Sequence, residues 1–443
     1  MKVSRLPKDP GPAAWNSILP QQAPPQVLSE DLRADYLVIG AGFAGLSAAR
    51  RLSQLDDTAR IVVLDATRLA HGPAGRNSGF MIDLPHDLAS DDYGGAPDHD
   101  RVLTADNRHA IDFAAEMAKD FGLSPEAFTR SGKVNGAASS NGQQHNEDYA
   151  RHLTQLDEPH EMLDAAAMLA LTGTDYYQGG LFTPGTAMIQ PAMYIRGIAE
   201  GMASNRLQIF ENSPVTALEH NGDWVATTPR GRVTAPKVIL AVNGHLNSFG
   251  LMQNQLMHVF TYGSMTRPLT DAEAAALGGA PNWGLTPADP LGTTVRKISG
   301  TGGTRLIIRN RATFDPSLAV SDARIATVGR THDASFATRF PMLRDVTMDY
   351  RWGGRLCLSR NNVNVLGEAE RGLFLAACQN GLGTTRGTLM GLLAAELATG
   401  QSSDRLDRAL AVAQPTKMLP SWITAPAANI YLRWGERKAG AEL

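Results

Sequence analysis

Asp35-Tyr36-Leu37-Val38-Ile39-Gly40-Ala41-Gly42-Phe43-Ala44-Gly45 decides the fold. Tyr36–Ile39 is a short apolar run with β-branched members, and residues 46–55 carry apolar side chains at helical spacing, so the segment reads as strand, glycine turn and helix. Gly40, Gly42 and Gly45 complete G-x-G-x-x-G in that setting. The first glycine permits the turn, the second lets the backbone approach a pyrophosphate, and the third lets the helix pack on the strand. The helix start then aims N–H groups and a positive dipole end at the phosphates. A second apolar run, Ile61–Leu64, closes a βαβ unit at Asp65, where a carboxylate accepts hydrogen bonds from a ribose diol. A glycine motif alone is usually an ordinary turn; with strand, helix and acid in place it reads as a dinucleotide site.

The surrounding composition allows such a fold. The chain has 443 residues, 43% hydrophobic and 19% charged, enough for two or three domains around large cores. A net charge of -3 offers no basic footprint for nucleic acid. Two cysteines, Cys357 and Cys378, cannot build a disulfide framework and have no closely spaced partners for a metal site. Prolines at 7, 10 and 12 interrupt any signal-like apolar stretch, and no run approaches the roughly 18 apolar residues that span a bilayer. The expectation is a cytoplasmic protein acting on a small molecule, with no metal and no nucleic-acid partner; the oligomeric state is not legible. Further prolines at 20, 24 and 25 make residues 1–33 an extended arm lying over a surface.

Along the chain, Ala110, Phe113, Ala114, Met117 and Phe121 predict an amphipathic helix. The Gly-, Ser- and Asn-rich stretch 131–146 predicts a loop or hairpin, and Pro191 opens a helix over 191–204. Strands are expected at Leu207–Phe210, 224–228, 238–241, 306–308 and Leu373–Ala377, and a long apolar helix over 385–397. Alternating βαβ units and β-meanders imply an α/β fold with α+β elements.

Which dinucleotide is bound is read from two other segments. A glycine-rich loop at 72–79 contains Gly75-Arg76-Asn77-Ser78-Gly79, joining flexibility to a cation and two hydrogen-bonding side chains that a nicotinamide dehydrogenase does not need. Near the far end, Asn380-Gly381-Leu382-Gly383 turns into a helix at about Thr384. A second helix N-terminus suits a flavin, whose reduced form is negative at N1 and C2=O. Two helix starts for one cofactor imply FAD.

At these residues the chain resembles the D-amino-acid-oxidase-like family of FAD-dependent amine oxidoreductases, and within it the gamma-glutamylputrescine oxidoreductase branch. The likeness covers nearly the whole chain. It includes the Pro-rich arm, the segment from Gly75 to Phe80, Gly179-Gly180 with Pro191 and Tyr194, Glu211-Asn212-Ser213-Pro214-Val215, Ile239-Leu240-Ala241-Val242-Asn243-Gly244 and Met265-Thr266-Arg267-Pro268-Leu269. Leu382 departs from the histidine of many relatives, and Asn362 and Val363 interrupt the usual motif before Leu366-Gly367. The resemblance implies a Rossmann-type FAD-binding domain assembled from 34 to about 105, 186–249 and 346–443. Residues 106–185 and 250–345 would form a discontinuous antiparallel-sheet substrate domain over the flavin. Cofactor contacts are expected from Gly40, Gly42, Phe43, Ala44, Gly45, Asp65, Arg76, Asn77, Ser78, Val215, Ala241, Gly381, Leu382, Gly383 and Thr384.

The implied reaction is hydride transfer from a primary or secondary amine, gamma-glutamylated or carboxylated, to flavin, followed by imine hydrolysis to an aldehyde. Alternatives are a flavin monooxygenase, an imino-acid dehydrogenase, or the flavin subunit of a hetero-oligomeric opine or sarcosine oxidase. His258 and Tyr262 are amine-orienting candidates, though each also reads as a polar residue within a strand. Arg305, Arg309 and Arg311 alternate along one strand; Arg309 offers a fork for a substrate carboxylate, while a solvated sheet face is the favoured reading of the stripe. Some relatives attach flavin through a cysteine near the position of Cys357; flanked by Leu356 and Leu358 it reads as a buried core thiol, and non-covalent FAD is expected.

Overall fold

The computed structural model describes residues 1–85 and 95–443; residues 86–94, within the first expected FAD segment, lie outside the described residues. Tyr36–Ile39 and Ile61–Leu64 are neighbouring inner strands of a six-stranded sheet, with Phe43–Leu55 the helix that connects them in the chain. The sheet runs Leu207–Phe210, Ile61–Leu64, Tyr36–Ile39, Lys237–Leu240, Leu373–Ala377 and Val365–Glu370, parallel except for the last strand. Tyr36–Ile39 and Ile61–Leu64 are buried along their whole length, as expected of strands covered on both faces.

A second, eight-stranded sheet runs Met348–Leu358, Met257–Thr266, Gly303–Phe314, Thr294–Gly300, Trp283–Pro287, Lys133–Ala137, Gly179–Thr183 and Glu161–Asp164. Every pair is antiparallel except Trp283–Pro287 with Lys133–Ala137, which come from distant parts of the chain and need no hairpin between them. Met348–Leu358 begins beyond residue 345, where the sequence reading returns to the nucleotide domain, yet it is the edge strand of this sheet. The cores merge: Met265, Ile307 and Trp352 from the second sheet share one buried cluster with Val38 of the first and with Leu46 and Leu392 on helices Phe43–Leu55 and Gly383–Thr399.

Several elements differ from the sequence reading. The stretch 131–146 holds the strand Lys133–Ala137 and then a helix, Ser140–Gln155, whose polar start hides its periodicity; Ser139 caps it by accepting from the Gly142 N–H. The strand expected at 306–308 extends over Gly303–Phe314, and the helices Asp322–Arg339 and Ser421–Lys438 go unread. The N-terminal arm does more than cover a surface. It buries Trp15 and Leu28 completely, and Leu32–Arg33 pairs with Arg232–Ala235 in a four-stranded sheet.

Helix Phe43–Leu55 lies against helix Gly383–Thr399 at backbone distance. A Cβ on Gly391 would sit 2.0 Å from the Ala44 carbonyl oxygen, whereas one on Gly387 would meet the Phe43 Cβ at 3.3 Å. Gly391→Ala should therefore cost about 1–3 kcal/mol of overpacking, and Gly387→Ala distinctly less. Thermal melting of the two variants side by side checks this; equal Tm values would show that the helices are free to separate.

Candidate functional site

A cavity of about 450 Å³ opens between the two sheets. On one side it meets the carboxyl ends of the parallel strands, at Gly40, Asp65 and Ala241, where open α/β sheets place their ligands. Gly40 has φ +106, conformational space that favours glycine, and a Cβ on Gly45 would lie 1.6 Å from the Gly40 oxygen. Gly42 is different: a Cβ there would meet only Ala74, at 3.5 Å, so its open side faces the cavity. Asp65 is half-buried and accepts from the Ala41 N–H (2.9 Å) and from the Thr67 N–H (2.8 Å) and hydroxyl (3.1 Å). Its carboxyl is raised from the usual range, chiefly by burial. The acid read as a ribose ligand thus also fixes the glycine loop.

The second helix start, at Gly383, lies in the same cavity with Gly381, Leu382 and Thr384. Gly381, at φ +85, has open space where a Cβ would be. Thr384 donates to the Phe80 carbonyl (2.6 Å), tying this turn to the end of the 72–79 loop. Asn243 accepts from the Cys378 N–H (3.0 Å), joining the ends of Lys237–Leu240 and Leu373–Ala377. Val215 completes the nucleotide side of the wall. Of the fifteen expected cofactor residues, only Gly45 does not line the cavity, because it is spent on helix–strand packing.

Arg76 and Asn77 line the cavity, but their side chains hold the loop together. The Arg76 guanidinium donates to the carbonyls of His71 (2.6 Å), Pro10 (2.8 Å) and Gly11 (3.0 Å); Asn77 donates to Ala74 and accepts from the Gly79 N–H. Ser78 contributes from the loop backbone, where its carbonyl accepts from Arg296 (3.1 Å). Arg296, unread in the sequence, also donates to Ile189 (2.6 Å), and burial lowers its pKa to about 9.

On the sheet side the cavity is lined by Thr261, Gly263, Ile307, Arg309, Asn310 and Thr294. Behind Thr286, another wall residue, the buried Lys133 ammonium donates to its hydroxyl (3.2 Å), and desolvation brings that lysine down to about 8. The arginine stripe is not a solvated face. Arg305 is 6% exposed and donates to the Thr266 carbonyl and to Asp349. Arg311 adopts φ +63 where the register of the neighbouring strand shifts, and it pairs with buried Glu436 at 2.6 Å. Arg309 borders the cavity between them.

The two proposed amine-orienting residues are not brought together there. Tyr262 borders the cavity, but its phenol packs with Phe260, Ile325 and Val328 and its hydroxyl donates to Thr313 (2.6 Å), whose own hydroxyl donates to Asp315. His258 lies outside the lining, with Nε2 bonded to Asn247 at 2.7 Å. Alternation along Met257–Thr266, broken by the register shift at Thr261/Tyr262, accounts for both. Sequence reasoning also missed Asp9 and Arg355. Both line the cavity, and the buried Asp9 Oδ1 has no hydrogen-bond partner. Asp9 sits near the guanidinia of Arg76 and Arg355, which burial pushes below the usual arginine range. The Pro-rich arm around Asp9 carried some signal; Arg355, inside an ordinary strand, carried none.

A cavity with two helix starts, an open glycine at each and a half-buried acid at the end of a parallel strand fits FAD. The family of FAD-dependent oxidoreductases described as DAO matches residues 35–397. The chain belongs to that family. This flavin-dependent oxidoreductase is 27% identical to gamma-glutamylputrescine oxidoreductase of Escherichia coli (strain K12) over 395 residues, 87% of this chain and 88% of that one. It is 26% identical to a probable oxidoreductase, OrdL, of Haemophilus influenzae, over 86% of this chain and 85% of that one. Among solved structures, glycine oxidase from Geobacillus kaustophilus superposes with a TM-score of 0.69 at 19% identity, covering 88% of this chain and all of the other. Iminodiacetate oxidase from Chelativorans sp. BNC1 gives 0.64 at 17% identity, over 87% and 100%. Among the described residues there is no cluster of potential metal ligands, and no helix is long and apolar enough to cross a membrane.

The buried histidines of the enzyme impose a pH dependence. Burial, with Arg355 next, lowers His258 from 6.5 to about 4. Between those values the unfolded chain binds a proton that the folded chain does not, so stability falls as pH falls through that window. His245 and His332 are shifted the same way by burial. His258→Gln, which can still donate to Asn247, should make the decline of Tm between pH 6.5 and 4 shallower. An unchanged slope in a melting series would contradict the assignment.

Proposed function

We propose that this flavoenzyme oxidises a primary or secondary amine that also carries a carboxylate, a class that includes gamma-glutamylated amines. Hydride would leave the carbon next to nitrogen, and water would hydrolyse the resulting imine to an aldehyde. FAD, when bound, supplies the hydride acceptor. The chain's own part is to position the amine and exclude bulk water. The observation that carries the reading is Arg309, a guanidinium on the sheet wall of the cavity that also receives both helix starts. Its planar fork suits a carboxylate. The names of glycine oxidase and iminodiacetate oxidase describe substrates that combine amine and carboxylate, which supports the same choice.

The cofactor side is assigned to 34 to about 105, 186–249 and the C-terminal part. The substrate side takes 106–185 and 250–345, with Met348–Leu358 added because it is hydrogen-bonded into the eight-stranded sheet. Residues 1–33 form the arm. FAD is assigned as non-covalent. Cys357 borders the cavity, but Cys378 and burial together raise its thiol well above the ordinary range, which keeps the nucleophilic thiolate scarce. Acid precipitation of the purified enzyme should leave a colourless pellet and yellow supernatant; flavin retained on the denatured chain would reverse the assignment.

Arg309→Ala should raise KM by on the order of 30-fold or more, the equivalent of at least about 2 kcal/mol for a desolvated charge pair, with a smaller change in kcat. Arg309→Lys should restore only part, since an ammonium lacks the fork. Anaerobic mixing with amines matched with and without a carboxylate supplies the substrate for these kinetics. An unchanged KM removes Arg309 as the anchor; flavin bleached by NAD(P)H but by no amine replaces the amine reading with a monooxygenase.

A further inference from the structure

The five most exposed large apolar side chains among the described residues all fall between 419 and 434. They are Trp422 at 76%, Ile430 at 71%, Tyr431 at 65%, Leu419 at 64% and Trp434 at 59%. Trp422, Ile430 and Trp434 stand at multiples of four residues along helix Ser421–Lys438, and so share one face. The Tyr431 ring lies 6.3 Å from that of Trp434. Single exposed apolar residues are ordinary on a protein surface, but a contiguous aromatic patch marks a contact surface.

The other face of this helix is built into the enzyme. Asn429 donates to the Phe314 carbonyl (3.0 Å) and accepts from the Phe314 N–H (3.0 Å). Glu436 receives Arg311 and Arg433, and with Leu432 it lines the cavity. The helix is therefore held in place with its aromatic side outward, and the patch is not the by-product of a loose tail.

Charge selects the occupant. Lys417, Arg437 and Lys438 are exposed, and the Lys438 ammonium lies 5.9 Å from the Trp434 ring. Between 412 and 443 the side-chain carboxylates are Glu436 and Glu442, both buried, although the whole chain is net negative. A second copy docking by the same face would bring these cations toward their equals, because a twofold contact is self-complementary. Indole and phenol rings flanked by cations, with no exposed acid among them, match the headgroup region of an anionic bilayer. We propose that the outer face of helix Ser421–Lys438 seats this enzyme on anionic lipid surfaces. The helix would lie in the interface and not cross it, and its inner face would put the cavity directly behind the lipid contact.

The test is flotation of the FAD-loaded full chain with vesicles of phosphatidylcholine alone or mixed with phosphatidylglycerol, at low and high salt. The enzyme should float with the anionic vesicles at low salt, at least about tenfold more than with neutral ones, and its tryptophan emission should shift to the blue. Trp422→Ser/Ile430→Ser/Trp434→Ser should abolish this while keeping bound flavin. Should that triple variant fail to fold, the surface variant Arg437→Glu/Lys438→Glu must lose binding while retaining flavin. No binding to anionic vesicles, equal binding to neutral ones, or retained binding by the variants overturns the proposal. So does a lipid-free dimer that the triple variant converts to monomer, which would assign the face to a second copy.

Discussion

Two helices touching backbone to backbone set the geometry on which the rest of the enzyme depends. Phe43–Leu55 meets its own strand through Gly45 and meets Gly383–Thr399 through Gly391, and at both contacts a single methyl would collide with a carbonyl oxygen. Close packing of this kind cannot relax gradually, because protein interiors are as dense as molecular crystals. Its result is that two helix starts, more than 300 residues apart in sequence, open into one cavity. Their N–H groups and dipoles are thereby placed to act on one ligand.

Around this contact the enzyme uses buried guanidinium groups as cross-links to the main chain. Arg76 holds the 72–79 loop to the N-terminal arm, and Arg296, which stands on the eight-stranded sheet, holds the same loop to the strand Ala187–Ile189 outside that sheet. The indoles of Trp15 and Trp352 add donors to the carbonyls of Asn77 and Arg76. Burying a guanidinium is costly unless its donors are paired, and here carbonyls from four separate parts of the chain, at 10–11, 71–79, 189 and 353, pair them. A loop read as flexible from its glycines is thus among the most constrained segments of the site. The side chains of Arg76 and Asn77, expected to reach a cofactor, are occupied in shaping the cavity wall.

The nucleotide half was legible because its signals are local. Tyr36–Ile39 and Ile61–Leu64 are found at the residues read from the sequence, and the Gly383 helix begins within a residue of the expected start. Strand, turn, helix and acid follow one another within about 30 residues, so period and spacing suffice. The substrate half was legible only in outline. Helix Ser140–Gln155 starts on polar residues, and, outside that half, Ser421–Lys438 turns its aromatic residues outward, so neither shows the usual inward apolar stripe.

The sequence by itself determined the dinucleotide unit, the second helix start and the flavin-dependent family, because each rests on residues whose neighbours along the chain are also their neighbours in space. Only the tertiary structure decided which side chains reach the cavity. Tyr262 and Arg309 both sit in strands of the same sheet, yet a register shift at Thr261/Tyr262 and the left-handed backbone at Arg311 send the phenol to Thr313 while Arg309 stays at the wall. Asp9 and Arg355 meet there although 346 positions separate them in the chain. Side-chain direction in a sheet reverses with every one-residue shift, and long-range contacts leave no periodic trace, so folding alone could place these groups.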